Sequence, residues 1–291
     1  MVVRQSILVT GAHGQLGMEF RDLSQEWPAY RFEFVSHEQL DITNREEVKN
    51  FFSAKSFGYC INCAAYTGVD KAESEIARAF ATNSQAVEHL AVVCHESNTR
   101  FIHISTDYVF DGTASAPYTE RSPVNPVSVY GRSKLEGEQK AMAANPDSII
   151  LRTAWVYSAF GKNFVKTMLR LMKEKSEIGV VNDQLGAPTY AADIASAILQ
   201  VISSDEWKPG IYHFTNQGRI SWFEFALAIK KLTKSNCNIN AISTSQYPTP
   251  ARRPAYSVLD NSKIREAFAI RQVDWQDSLL ACVQKINQKG Q

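Results

Sequence analysis

Tyr130 and Lys134 stand four residues apart in "VYGRSKLEGE", and upstream "STDYVFDG" puts Ser105, Thr106 and Asp107 just past the apolar run "RFIHI". On a helix, positions i and i+4 share a face roughly 5–6 Å apart. A free tyrosine, with a pKa of about 10, exchanges protons poorly at neutral pH. An ammonium one turn away is expected to stabilise the phenolate and lower that value. The pair then reads as a general acid/base for interconverting a carbonyl and an alcohol. A hydroxyl where the preceding strand ends, the side on which open α/β sheets expose their ligand crevice, is suited to hold the reacting oxygen beside Tyr130.

Such chemistry needs a hydride carrier, and the N-terminus offers a place for one. "ILVTGAHGQLGMEF" sets Gly11, Gly14 and Gly17, with Gln15 and Leu16 among them, between a first strand and a first helix. The spacing G-x-x-G-x-x-G is a variant of the dinucleotide fingerprint. One glycine permits the turn, one lets backbone N–H groups approach a pyrophosphate, and one lets helix pack on strand. The helix N-terminus favours the anion. Lys134 could donate to the nicotinamide ribose. At the end of the second strand "FVSHEQLD" places Ser36 and His37 where an NAD-selective site keeps a carboxylate. That favours NADPH, with NADH as the alternative. Asp41 and Ile42 follow at a distance suited to adenine, while the competing assignment makes Asp41 the cap of the next helix.

These groups have to be positioned by alternating elements. Strand-like runs at 6–10, 31–36, 59–64, 100–105, 148–153 and 178–182 are separated by amphipathic stretches at 14–25, 44–55, 75–97, 125–144 and 161–175. The pattern predicts an α/β fold: a Rossmann-like, doubly wound parallel sheet with a smaller, interleaved C-terminal lobe. Residues 1–154 form the dinucleotide-binding domain, with about 178–205 returning to it, and 155–291 form mainly the substrate lobe. The chain has 291 residues, is 44% hydrophobic, and balances 31 basic against 30 acidic side chains, which argues against nucleic acid or a membrane as partner. With no signal-peptide pattern and no spanning run, the expectation is a cytoplasmic protein. Cys60 and Cys63 form a CxxC, but residues three apart in a strand face opposite ways, so the five cysteines read as buried thiols.

Together "TGAHGQLG", "STDYVFDG" and "YGRSKLEGE" resemble the extended short-chain dehydrogenase/reductase superfamily. Within it the chain is similar to the dTDP-4-dehydrorhamnose reductase family, also through "NCAAYTGVDKAESE", "LRTAWVYSAFGKNFVKTM", "VVNDQLGAPTYAADIA" and "ARRPAYSVLDNSKI". The resemblance covers nearly the whole chain. It implies catalytic roles for Thr106, Tyr130 and Lys134, and places Asn62, Ala64, Ala65 and Tyr66 along the cofactor, with Asn83 supporting the catalytic geometry. It also implies that Val69 faces the pocket, that Asp107 orients its loop or contacts substrate, and that Trp155 lies beside the sugar.

A nucleotide-sugar substrate needs polar groups for a base and cations for a diphosphate. Asn182, Gln184 and Thr189 lie on a Gly/Pro-constrained loop, and Arg252 and Arg253 match diphosphate geometry. The aromatics of "SWFEFALAI" read as packing of the small lobe. The resemblance also implies Mg²⁺ at a dimer contact in some members. Glu19 matches one ligand, but Ala192 stands at the other place, which argues against a metal here. The implied activity is NADPH-dependent reduction of the C4 ketone of dTDP-4-dehydro-L-rhamnose by a monomer or homodimer. The alternatives are another sugar-nucleotide reductase or epimerase, and a non-catalytic, NADP-binding regulatory subunit similar to the methionine adenosyltransferase β subunit.

Overall fold

The computed structural model describes residues 5–204 and 206–289. Five strands, β1 (Gln5–Thr10), β2 (Tyr30–Val35), β3 (Tyr59–Asn62), β4 (Arg100–Thr106) and β5 (Ile149–Thr153), build a parallel sheet. Its order is Gly210–His213, β5, β4, β3, β1, β2. The chain reverses direction across the sheet between β1 and β3, and a crevice opens there beyond the strands' C-terminal ends. Apolar side chains cover both faces. Ile7, Val9 and Ile61 pack under α1 (Gln15–Leu23) and the helix Ala191–Ser203, while Leu8, Cys60 and Ile150 pack under Arg45–Ser53, Ala86–Glu96 and Val129–Ala144. The expected α/β doubly wound sheet is present.

Two strands lie elsewhere than expected. Residues 178–182 do not return to the main sheet: Glu177–Val181 pairs in parallel with Asn238–Ile242 as a separate two-stranded ribbon of the small lobe. Its alternation of exposed Glu177 and Gly179 with buried Ile178 and Val180 is that of a strand covered on one face only. The strand Gly210–His213, expected in the small lobe, instead closes the main sheet beside β5. Helix Ala191–Ser203 does pack on the main sheet, through Ile194, Ile198 and Ile202. The small lobe has its own core of Tyr157, Val165, Phe225, Ile229 and Leu279.

Two helices also depart from expectation. The helix expected over 125–144 starts at Val129, after Ser128 caps it by accepting the Gly131 N–H at 3.1 Å. Pro126 disfavours helical backbone at Asn125. The helix expected over 75–97 is interrupted by a π turn, Ala81–Gln85, which carries Asn83. Four of the five cysteines are buried and the fifth, Cys63, is half-buried, all as thiols. Among the described residues no helix is long and apolar enough to cross a membrane.

Candidate active site

β4 delivers Thr106 to the crevice, and the helix Val129–Ala144 lays Tyr130 beside it. The close approach depends on glycine: a Cβ at Gly131 would lie 2.2 Å from the Tyr108 carbonyl oxygen, and one at Gly137 would lie 2.0 Å from that of Asn83. The helix is therefore seated directly on the strand-end loop and on the π turn. Thr106 Oγ1 donates to Asp107 Oδ1 at 3.0 Å and accepts the Tyr108 N–H at 3.2 Å. Burial pushes the Tyr130 phenol up to about 12, the Thr106 hydroxyl at hydrogen-bonding reach pulls it down, and the Asp107 carboxylate pushes it up.

The expected lowering of the phenol by an adjacent ammonium is corrected here. Lys134, 1% exposed, turns beneath the helix, donating to the Ile104 carbonyl at 2.6 Å and standing 3.1 Å from His103 Nε2. Burial lowers it to about 8, against the pull of Glu138 and Cys63. Asp107 is 2% exposed, and its Oδ2 has no hydrogen-bond partner among the described residues. Burial raises its carboxyl to about 6 in spite of the Ser257 and Thr106 hydroxyls.

On the cofactor side Gly11 takes φ +67° and its backbone abuts Ala64, which a Cβ would approach to 2.7 Å. A Cβ at Gly17 would lie 2.4 Å from the Gly11 carbonyl oxygen, so α1 starts directly against the turn, while the approach of Gly11 to Ala64 packs the loops after β1 and β3 together. Gly14 caps α1, whose first turn holds no acidic side chain and whose N-terminus suits an anion. Leu16 is on the buried face of α1, while Gln15 accepts the Asn163 amide at 2.9 Å, linking the turn to the small lobe. Asn62 is buried at the end of β3, Ala64 and Ala65 are half-buried, and Asn83 clamps Tyr66 through both its backbone N–H (2.8 Å) and carbonyl (3.0 Å). The Asn83 amide also donates to Ser133 at 3.0 Å, next to Lys134.

Past β2 the sequence reading missed a carboxylate. Glu38 accepts the Ser36 hydroxyl at 2.5 Å, and that bond, with His13 and His37 nearby, holds its pKa down. His37 is exposed, 3.6 Å from Asp41. Asp41 accepts from Thr43, and Asn44 rather than Asp41 caps the helix Arg45–Ser53; Ile42 is buried beside it.

The substrate-side residues divide. A cavity of about 620 Å³ in the small lobe is lined by Gln184, Arg253, Phe164, Met168, Trp222 and Tyr247, among others. Arg253 reaches it from a bidentate pair with Asp70, at 2.8 and 3.1 Å, which ties its loop to the helical turn Val69–Ala72. Three expected residues are not brought to the cavity. Asn182 accepts the Ser221 hydroxyl at 2.7 Å, Thr189 is fully buried against the Ala187 carbonyl, and Arg252 is exposed. Trp155, at φ +47°, stacks on Trp222 with ring centroids 3.5 Å apart. Phe225 is core, as expected of the aromatics in that helix, but Trp222 is not only packing.

The residues matching an Mg²⁺ site do not fit one. Glu19 is fully buried, accepting from Lys285 at 2.5 Å and from Ser158 at 2.6 Å. Asp193, adjacent to Ala192, is committed to Asn216 and Ser278.

Comparison with known proteins agrees with this architecture. A family model described as "RmlD substrate binding domain" matches residues 5–288. A dTDP-4-dehydrorhamnose reductase of Aggregatibacter actinomycetemcomitans is 44% identical over 283 residues, covering 94% of this chain and 96% of its own. A crystal structure of a dTDP-4-dehydrorhamnose reductase of Clostridium acetobutylicum superposes with a TM-score of 0.93 at 41% identity, over 97% of this chain and 100% of that one. The Bacillus anthracis reductase, solved in complex with NADP, gives 0.93 at 36% identity over the same shares. The glycine turn, the Thr–Tyr–Lys cluster and this similarity over nearly the full length lead to one assignment: the chain belongs to the dTDP-4-dehydrorhamnose reductase family.

Proposed function

We propose that this chain reduces the C4 ketone of dTDP-4-dehydro-L-rhamnose to dTDP-L-rhamnose, using NADPH, in the cytoplasm. The observation that carries this reading is the meeting of Thr106 and Tyr130 at the C-terminal end of β4, with Lys134 beneath them. NADPH, when bound, supplies the hydride. Tyr130 gives its phenolic proton to the oxygen at C4, and Thr106 holds that oxygen by its hydroxyl. Lys134, buried beneath them, is suited in its ammonium form to donate to the nicotinamide ribose.

Arg253, fixed by Asp70, is suited to the diphosphate, and Gln184 with the apolar wall of Phe164 and Met168 to the base and deoxyribose. Trp155 and Trp222 form the wall facing the sugar. The NADP-bound relative supports a phosphorylated cofactor. NADPH and NADH oxidation should be followed against a panel of keto-sugar nucleotides. The dTDP-4-keto-6-deoxy sugar is expected to be reduced fastest, with NADPH favoured. Reduction of a uridine or guanosine keto-sugar in preference to every dTDP compound would overturn the substrate assignment.

A further inference from the structure

The floor beneath the acid–base helix holds an imidazole that the proposed reduction does not use. His103 lies on β4, fully buried, with both ring nitrogens engaged: Asn62 Nδ2 stands 3.1 Å from Nδ1, and Lys134 Nζ stands 3.1 Å from Nε2. The position of the proton follows from Asn62. Its Oδ1 accepts the Ala64 backbone N–H at 3.2 Å and the Thr10 hydroxyl at 2.7 Å. A backbone N–H can only donate, so the oxygen of Asn62 faces Ala64 and its NH₂ faces His103. Nδ1 must then accept, and a neutral His103 carries its hydrogen on Nε2, aimed at Lys134.

An amine at Lys134 completes this chain, taking the Nε2–H on its lone pair while donating to the Ile104 carbonyl. An ammonium has no lone pair and turns a hydrogen toward the one already on Nε2, so two donors face each other at a buried contact. We propose that the Asn62–His103 pair is a positioning device that lowers the proton affinity of Lys134 and so sets the pH at which this lysine exchanges its proton. Other groups facing Lys134 act the opposite way or are neutralised. Cys63 and Glu138 favour the cation, but Glu138 is already paired with Arg152 at 2.6 Å and accepts from Ser105. Tyr130 and Asp107 engage Thr106 and each other. Burial and Lys134 in turn hold His103 well below the ordinary histidine range, which keeps the ring neutral.

The proposal rests on the reductase reading only for its kinetic test. The His103→Gln variant offers Lys134 a carbonyl acceptor instead of a donor. The alkaline limb of kcat/KM for reduction is then expected to move upward by about one pH unit, with KM for the nucleotide-sugar little changed. His103→Phe, which removes the donor and supplies no acceptor, is expected to move the limb in the same direction by less. An unmoved limb in His103→Gln would overturn the proposal. A second measurement needs no activity: nitrogen-resolved NMR of histidine-labelled wild-type protein at about pH 9, where Lys134 is an amine. Hydrogen on Nε2 of His103 is expected, and hydrogen on Nδ1 would refute the mechanism. Should the wild-type protein reduce no keto-sugar nucleotide, the reductase reading fails while the spectrum still decides the tautomer.

Discussion

Asp107 bears a cost that only the cleft explains. Its carboxyl is raised to about 6 from an ordinary value near 3.8, with burial as the leading cause. A raised folded-state value means stability that is present below the unfolded pKa and lost as pH rises through the folded one. Between about pH 4 and 6, therefore, the native state gives up on the order of 2–3 kcal/mol at this residue. Asp107→Asn should raise the urea midpoint at neutral pH and lose that advantage below about pH 4. Equal midpoints for the two proteins at neutral pH would show that the carboxylate is not strained. At this scale the sequence was readable where spacing encodes geometry. Tyr130 and Lys134 are four apart on a helix, and the three glycines fall between strand and helix. His103 was not readable, because inside "RFIHIST" a histidine looks like one more strand residue until the lysine folds under it. Asn182 and Thr189 misled for a related reason: a polar type on a constrained loop does not reveal whether its partner will be ligand or protein.

The helix Val129–Ala144 depends on close packing at two glycines. A methyl group at Gly131 would collide with the Tyr108 carbonyl, so Gly131→Ala has to lift the helix N-terminus and with it Tyr130. The expected outcome is a stability loss of about 1–3 kcal/mol and a fall in kcat much larger than any rise in KM. A Gly131→Ala enzyme with unchanged kcat would mean that the helix N-terminus tolerates displacement. Element identities were legible from periodicity through most of the sheet domain, and element ends less so. Pro126 and the cap at Ser128 moved one helix start by four residues, and the π turn at 81–85 has no signature in an otherwise regular helical pattern. The strand 177–181 looked like a sixth sheet strand because a short β-branched run does not disclose its partner. Only long-range pairing with 238–242 assigns it to the small lobe.

Across the whole molecule, the C-terminal helix Trp275–Lys289 is tied back to the first helix. Lys285 reaches the buried Glu19 and, at 3.0 Å, Asp22, while its chain and that of Lys289 lie over Phe160. One ammonium thus meets a carboxylate that would otherwise be an uncompensated charge inside the protein. Lys285→Met should cost about 3 kcal/mol of stability, and wild-type turnover should be indifferent to a chelator. Loss of turnover in the chelator, restored by Mg²⁺, would show that a cation is required after all. Domain organisation was legible in outline from the β-α-β rhythm, but which late segments return to the main sheet depended on contacts between residues more than fifty positions apart, such as Gly210 with Ile149. In the proposed reaction the whole arrangement serves the transfer of one proton in the cleft. Single-turnover oxidation of NADPH by Tyr130→Phe on dTDP-4-dehydro-L-rhamnose tests that directly: NADPH binding should be retained and the rate should fall by about 10²–10⁴-fold. A rate equal to that of the wild type would contradict the assignment of Tyr130 as the proton donor.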